Sequence, residues 1–339
     1  MSVRSATLMT TAIAGLLAGL PALAQDVNVY SSRHYDSDDA LYEAFTEATG
    51  IQVNRLEGEA DELNARLQAE GEQSPADILL TVDAGRIWRA DQLGLLQPIE
   101  SEVLDERIPE HLRDPEGHWY GLSQRARLIF YSMDRVSNPP QTYADLADPA
   151  YEGQVCIRSS SNIYNLSLMG SIIAHEGEEA AQEWAAGVVE NFARDPEGGD
   201  TDQLRGIVSG ACDIAVANSY YFARALAQDV EGVTGSTDSI GIVFPNQETT
   251  GTHVNIAAAG VVTHAKNREN AIAFLEFLTT PEAQAHFADQ NNEFPAVPGV
   301  PVGEVAASLG EFEQDTLNLD ELGKNQAKAQ EIFNAVGWP

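Results

Sequence analysis

Short apolar runs alternate with amphipathic stretches along this chain, and that pattern restricts its possible folds more than any other feature. Val27-Asn28-Val29-Tyr30 reads as a strand, and Ser37-Asp38-Asp39 offers caps and first-turn acids to a helix. Leu41, Phe45 and Ala48 share the apolar face of that helix, which stops at Gly50. Ile51 to Leu56 is a second strand, followed by a helix from about Ala60 to Ala69; Ala76 to Thr81 is a third, with a helix after Asp83. Strands that alternate with helices build a largely parallel sheet covered on both faces, so the predicted class is α/β. Leu128-Ile129-Phe130-Tyr131 breaks the pattern, because no strong helix follows it at once. There the chain is expected to cross into a second lobe.

The second series opens with a strand at Gln154 to Arg158 and helices from about Asn162 to His175 and Glu178 to Ala193. A helix near Asp202 to Val208 leads to a strand at Cys212 to Ala217, and Ile240 to Phe244 carries the chain back. Val254 to Val262 is a strand, and Arg268 to Leu278 a helix with Ala271, Phe274, Leu275 and Leu278 on one face. The expected organisation is lobe 1 from residues 25–128 plus about 245–300 and lobe 2 from 129–244. Residues 301–339 read as C-terminal helices covering the body.

The first 24 residues have another purpose. Arg4, an apolar stretch from Leu8 to Leu23 and the small-x-small sequence Ala22-Leu23-Ala24 match a cleaved secretory signal peptide. Thr10, Thr11, Gly15, Gly19 and Pro21 interrupt the apolar run, which therefore falls short of the roughly 20 residues a membrane span needs. The mature chain is expected in the periplasm.

The 339 residues carry 19 basic and 52 acidic side chains, a formal charge of −33. Nucleic-acid affinity comes mainly from Lys and Arg neutralising phosphates, so a nucleic-acid partner is excluded. The acids are spread along the whole chain and read as a solvated surface. Two cysteines, Cys156 and Cys212, in an exported chain suggest one disulfide, with a pair of buried thiols as the alternative.

Three strand-to-helix junctions bear tyrosines: Ser31-Ser32-Arg33-His34-Tyr35, Arg158-Ser159-Ser160-Ser161-Asn162-Ile163-Tyr164 and Asn218-Ser219-Tyr220-Tyr221. In open α/β sheets, ligands lie outside the carboxyl ends of the strands. A phenol ionises near pH 10 and ligates poorly unless its anion is stabilised. A helix N-terminus contributes only about 0.3–1 kcal/mol to that end. A trivalent cation supplies the rest, because metal binding and ligand deprotonation are coupled. Phenolate oxygens with His34 make a mixed O/N shell suited to iron better than to calcium or magnesium. Ferric iron fits best, and the histidine also tolerates ferrous iron. The other histidines lack metal-ligand spacing and read as structural.

Val29-Tyr30-Ser31-Ser32-Arg33-His34-Tyr35 resembles the opening of the ferric-iron-binding proteins of ABC importers, particularly their FutA-type branch. So do Ser74-Pro75-Ala76-Asp77, Leu79-Leu80-Thr81-Val82-Asp83, Gln124-Arg125-Ala126-Arg127, Ile157-Arg158-Ser159-Ser160-Ser161-Asn162, Ala217-Asn218-Ser219-Tyr220-Tyr221 and Phe244-Pro245-Asn246-Gln247. The likeness runs in order through nearly the whole mature chain. It implies a two-lobed periplasmic-binding fold of type II, with a ligand cleft between the lobes. It also implies iron ligands at Tyr35, Tyr164, Tyr220 and Tyr221, with His34 as a fifth. Some relatives use a first-lobe glutamate, for which Glu57 or Glu59 is the nearest candidate. Arg125 stands where relatives hold an anion, and a partner of a phenolate is its alternative role.

Tyr164 and Tyr220 each follow a cysteine by eight positions, so a disulfide between neighbouring strands would clamp both ligand loops together. The implied protein is a monomeric, non-enzymatic carrier that hands iron to a membrane permease with its ATPase. An oxyanion receptor built on Ser31-Ser32 and Ser159-Ser160-Ser161 is the rival reading, since serines at helix starts cradle sulfate or phosphate. No GxSxG, HExxH or P-loop motif supports an enzyme.

Overall fold

The computed structural model describes residues 26–339; the expected signal peptide, Met1 to Ala24, lies outside the described residues. Ten strands follow in chain order: β1 (Asp26–Ser31), β2 (Gln52–Glu57), β3 (Ile78–Thr81), β4 (Leu96–Gln97), β5 (Tyr120–Ser132), β6 (Val155–Cys156), β7 (Ile214–Asn218), β8 (Ile240–Val243), β9 (Val254–Val262) and β10 (Phe294–Pro295). Their lateral order is β2-β1-β3-β9-β5-β7-β6, with β4 against β9 and both β8 and β10 against β5. The pairs β1–β2, β1–β3 and β6–β7 are parallel, as α/β alternation requires, whereas β9 and β5 run antiparallel to their neighbours.

The long strand β5 joins the two halves. From Tyr120 to Ala126 it pairs with β9, and from Arg127 to Ser132 it pairs with β7 and β8. The sequence pattern predicts a strand only over residues 128–131; the structure extends it from Tyr120 to Ser132. Gln124, Arg125 and Arg127 interrupt the apolar run, which is why pattern alone misses the first part. All three are nevertheless buried, because other chain segments supply partners for their polar groups.

Three apolar clusters stabilise the body. One lies under β1, β3 and β9 and includes Phe45, Ile78, Trp119, Phe274 and Leu322. The other two cover opposite faces of the second half-sheet. Leu168, Trp184, Val216, Phe333 and Trp338 lie in one; Phe130, Leu204, Phe222 and Leu309 lie in the other. The C-terminal stretch thus contributes to all three. Small residues in β9 allow close packing: a Cβ on Gly260 would lie 2.5 Å from the His118 carbonyl oxygen. Among the described residues, no helix is long and apolar enough to cross a membrane.

Cys156 and Cys212 form the disulfide, with Cα atoms 5.8 Å apart. Cys156 ends β6, Cys212 stands just before the parallel partner β7, and both side chains are buried. The bridge closes a loop of 56 residues, for which chain entropy gives about 4 kcal/mol. Replacing both cysteines with alanine is therefore expected to lower unfolding free energy by up to about 4 kcal/mol, read as a lower midpoint in a urea melt. An unchanged midpoint would show that the bridge does not stabilise the fold.

Candidate metal centre

Each candidate tyrosine stands where a strand gives way to a helix or turn. Tyr35 follows β1 and enters the short turn Asp36–Asp38. Tyr164 is the second residue of the helix Ile163–Glu176; Tyr220 and Tyr221 are the second and third of the helix Ser219–Ala227. Because β6 and β7 are parallel neighbours, these two helices begin side by side. The Tyr164 and Tyr220 phenol oxygens lie 3.3 Å apart, and the Tyr220 and Tyr221 ring centres 4.3 Å apart. His34 is exposed beside Tyr35, with ring centres 6.4 Å apart. Its Nδ1 is 3.2 Å from the Ser32 carbonyl, a bond that leaves Nε2 for ligation.

The four phenols sense one another electrostatically. Burial, then the charge of Glu293, pushes the Tyr35 phenol up to about 12, while Arg33 and Arg125 pull it down and Tyr164 raises it further. Tyr220 is held well above its ordinary value, first by burial and then by Tyr164, Tyr35 and Tyr221. Tyr221 is raised by burial, then by Tyr164 and Asp200. Phenols held protonated by burial first and by one another only after that form a poor site for a neutral guest. For a small, highly charged cation they form a good one, since one ion relieves all the repulsions together.

A buried ionic frame holds the first-half loop. Arg33 gives its Nε to Asp38 Oδ2 at 2.6 Å and its Nη1 to Glu293 Oε2 at 2.7 Å. Arg125 gives Nη2 to Glu293 Oε1 at 2.7 Å and Nη1 to the Val82 carbonyl at 2.9 Å. The Ser123 hydroxyl donates to Glu293 Oε2 at 2.7 Å. Arg33 also lies 4.6 Å from the Tyr35 ring centre, and Arg125 lies 5.9 Å from that of Tyr220. Two cations and two carboxylates cancel, so the frame is neutral and its groups are largely bonded, which makes its burial tolerable.

The second half has a matching frame. Arg127 donates to Asp200 at 2.7 Å, Asn218 at 3.1 Å and Asn165 at 3.1 Å. Asn165 in turn binds the Arg158 and Ser159 carbonyls and so fixes the loop ahead of Tyr164. The guanidiniums of Arg127 and Arg158 lie 5.8 and 5.6 Å from the Tyr164 ring centre. The two halves meet at Asp83, just past β3. Its buried carboxylate accepts from Ser167, one turn beyond Tyr164, at 3.0 Å and from Asn255 at 2.7 Å.

Several sequence expectations are redirected. Ser37-Asp38-Asp39 offers the helix after β1 its caps and first-turn acids, yet the Asp38 carboxylate makes no cap bond and goes to Arg33 and Asn291 instead. Glu57, an exposed residue ending β2, pairs with Arg55 at 3.0 Å. The first-half carboxylate beside Tyr35 and Arg125 is Glu293, which sequence reasoning missed. It follows a helix that ends in left-handed Asn292, and its neighbour Phe294 pairs with Gln124 of β5. A polar stretch of that kind carries no periodicity to mark it as buried. The serines of the rival reading are mostly engaged locally: Ser31 bonds to Arg33 backbone atoms, and the Ser159 and Ser161 hydroxyls face each other at 3.2 Å. Only Ser32 Oγ is buried without a partner among these.

A two-lobed α/β body with polar loops converging at the carboxyl ends of its strands is the design of a solute-binding protein. The family model described as bacterial extracellular solute-binding protein matches residues 73–314, and the chain belongs to that family. It is 48% identical over 323 residues to iron uptake protein A1 of Synechocystis, covering 95% of this chain and 90% of that one. It is 49% identical over 337 residues to iron uptake protein A2 of the same organism, covering 97% and 96%. Among solved structures, Trichodesmium FutA (IdiA) in complex with iron and citrate matches with a TM-score of 0.90 at 49% identity, over 93% of this chain and all of that one. The two-lobed fold and the FutA-type resemblance are borne out.

Removing Glu293 isolates two buried guanidiniums. Glu293→Ala is expected to cost about 3–5 kcal/mol in a denaturant melt, far beyond the loss for a surface carboxylate. The two arginines hold the Glu293 carboxyl below its ordinary value against the opposing effect of burial. Its stabilising effect is therefore complete above the unfolded value of about 4.3 and is lost as pH falls through the lower folded value. Between pH 6 and about 3, the gap between wild type and Glu293→Ala should narrow; a constant gap contradicts the assignment.

Proposed function

We propose that this protein is a periplasmic carrier of ferric iron for an ABC importer, with the ion held by the phenolates of Tyr35, Tyr164, Tyr220 and Tyr221 and by His34. The observation that carries the proposal is the convergence of phenols from three separate loops, with the Tyr164 and Tyr220 oxygens 3.3 Å apart. Likeness to two iron uptake proteins and to an iron-loaded structure over nearly the whole chain supports the same cargo.

In this reading the β6 and β7 loops form a half-site of three phenols, clamped behind by the disulfide. The first half adds Tyr35 and His34 as the lobes close about β5. The lobes are residues 25–128 with about 245–300, and 129–244, and the last 39 residues brace both. Arg125 acts as countercharge to the phenolates, with two of its nitrogens already committed to Glu293 and Val82. The mature chain works as a monomer after loss of its leader, and the closed, loaded form is the one a permease recognises.

Titration of the purified chain with ferric citrate should produce a visible phenolate-to-iron charge-transfer band. Tyr220→Phe/Tyr221→Phe should abolish most of that band. Tight phosphate binding with no band would favour the oxyanion reading.

Iron affinity should also depend steeply on pH. Tyr35, Tyr220 and Tyr221 all have raised values, so these phenols are protonated at pH 7 and each must lose a proton on binding. Apparent affinity should thus fall on acidification, by about tenfold per pH unit for each phenolate formed. Competition with a chelator of known speciation at two pH values reads that slope. A flat profile is incompatible with phenolate ligation.

A further inference from the structure

A cavity of about 300 Å³ opens beside the junction of the two halves, and none of the candidate ligands lines it. Its lining includes Tyr143, Ile172 and Trp184 as apolar surface and His175, His253 and Asp315 as polar groups. At roughly 30 Å³ per water, the space holds about ten waters, and it matches the lower end of small-molecule pockets.

The acid of the polar wall is held in place from within the protein. Asp315 accepts from His175 at 2.8 Å, from Ser171 at 3.3 Å and from the Leu317 amide at 2.9 Å. His253 is 3% exposed and lines the cavity, so what its ring meets is the space itself rather than bulk solvent. Burial pushes this imidazole down to about 4, so at neutral pH it is uncharged and presents one donor and one acceptor. A buried polar group without a partner is unfavourable unless a guest or water completes it.

The charge of the lining selects the guest. Asp315 and Glu176 bring carboxylates, whereas no lysine or arginine among the described residues lines the space. Anions, including citrate-like chelators, are therefore disfavoured, and a cation with an apolar body fits both walls. We propose that this cavity is a second binding site, for a small primary amine whose body packs on Tyr143 and Trp184 while its ammonium lies between Asp315 and the ring of His253.

The proposal uses none of the four tyrosines of the iron reading, so it stands or falls apart from it. Its test is calorimetric titration of the intact, iron-free chain with 2-phenylethylamine and, separately, with phenylacetate, which has a similar body and the opposite charge. The amine should bind with a Kd of about 1 mM or tighter and perturb Trp184 fluorescence, with the acid at least about tenfold weaker. Ala180→Trp should block the mouth; Ala180 is exposed, so the fold tolerates the change. Asp315→Asn should remove the preference for the amine. Both variants should keep the response to ferric citrate seen in the unaltered chain. Absence of amine binding at about 10 mM, equal binding of amine and acid, or binding that survives Ala180→Trp would each overturn the proposal.

Discussion

The charge pair on either side of Glu293 is the constraint on which the first half of the cleft depends. A carboxylate with no exposed surface is tolerable only because Arg33 and Arg125 both reach it at 2.7 Å. Each arginine then has groups left over: Arg33 turns to Asp38 and lies over the Tyr35 ring, and Arg125 turns to the Val82 carbonyl and approaches Tyr220. Glu293 thus fixes three loops that are remote in sequence. The geometry of Tyr35 follows from a residue more than 250 positions away.

The second half solves the same problem with a different anion. Asp200, at the start of the helix Asp200–Ser209, takes Arg127 at 2.7 Å and the Asn218 amide at 2.9 Å. Asn218 immediately precedes Ser219 and Tyr220, so the acid holds the chain where the tyrosine helix begins. Arginines near phenol rings and carboxylates behind the arginines make a layered arrangement. Guanidinium is met by carboxylate in both halves, with little net charge left in the interior beside the uncharged phenols.

Much of this was legible in the sequence, and the remainder was hidden for physical reasons. Tyr35, Tyr164, Tyr220 and Tyr221 stood out because each follows a strand, and helix starts after parallel strands converge. The disulfide was legible from an even cysteine count in an exported chain. Glu293, Asp200 and Asp83 were not, because a buried acid and a surface acid look alike in a chain with 52 of them. The first half of β5 was concealed by its own function, since Gln124, Arg125 and Arg127 break the alternation that would mark a strand. Asp38 misled for a related reason: a helix-start aspartate suits a cap, but a nearby guanidinium is a stronger partner than a backbone amide.

β5 has one further property. Its partnership with β9 ends at Ala126, and its partnership with β7 starts at Arg127. The handover from one half-sheet to the other is one peptide wide, and the two guanidiniums stand on opposite sides of it. Arg125 is tied to Glu293 on the side of Tyr35, and Arg127 is tied to Asp200 on the side of Tyr164. Each frame therefore closes its charges within its own half, and the hydrogen bond from Ser167 to Asp83 runs between them.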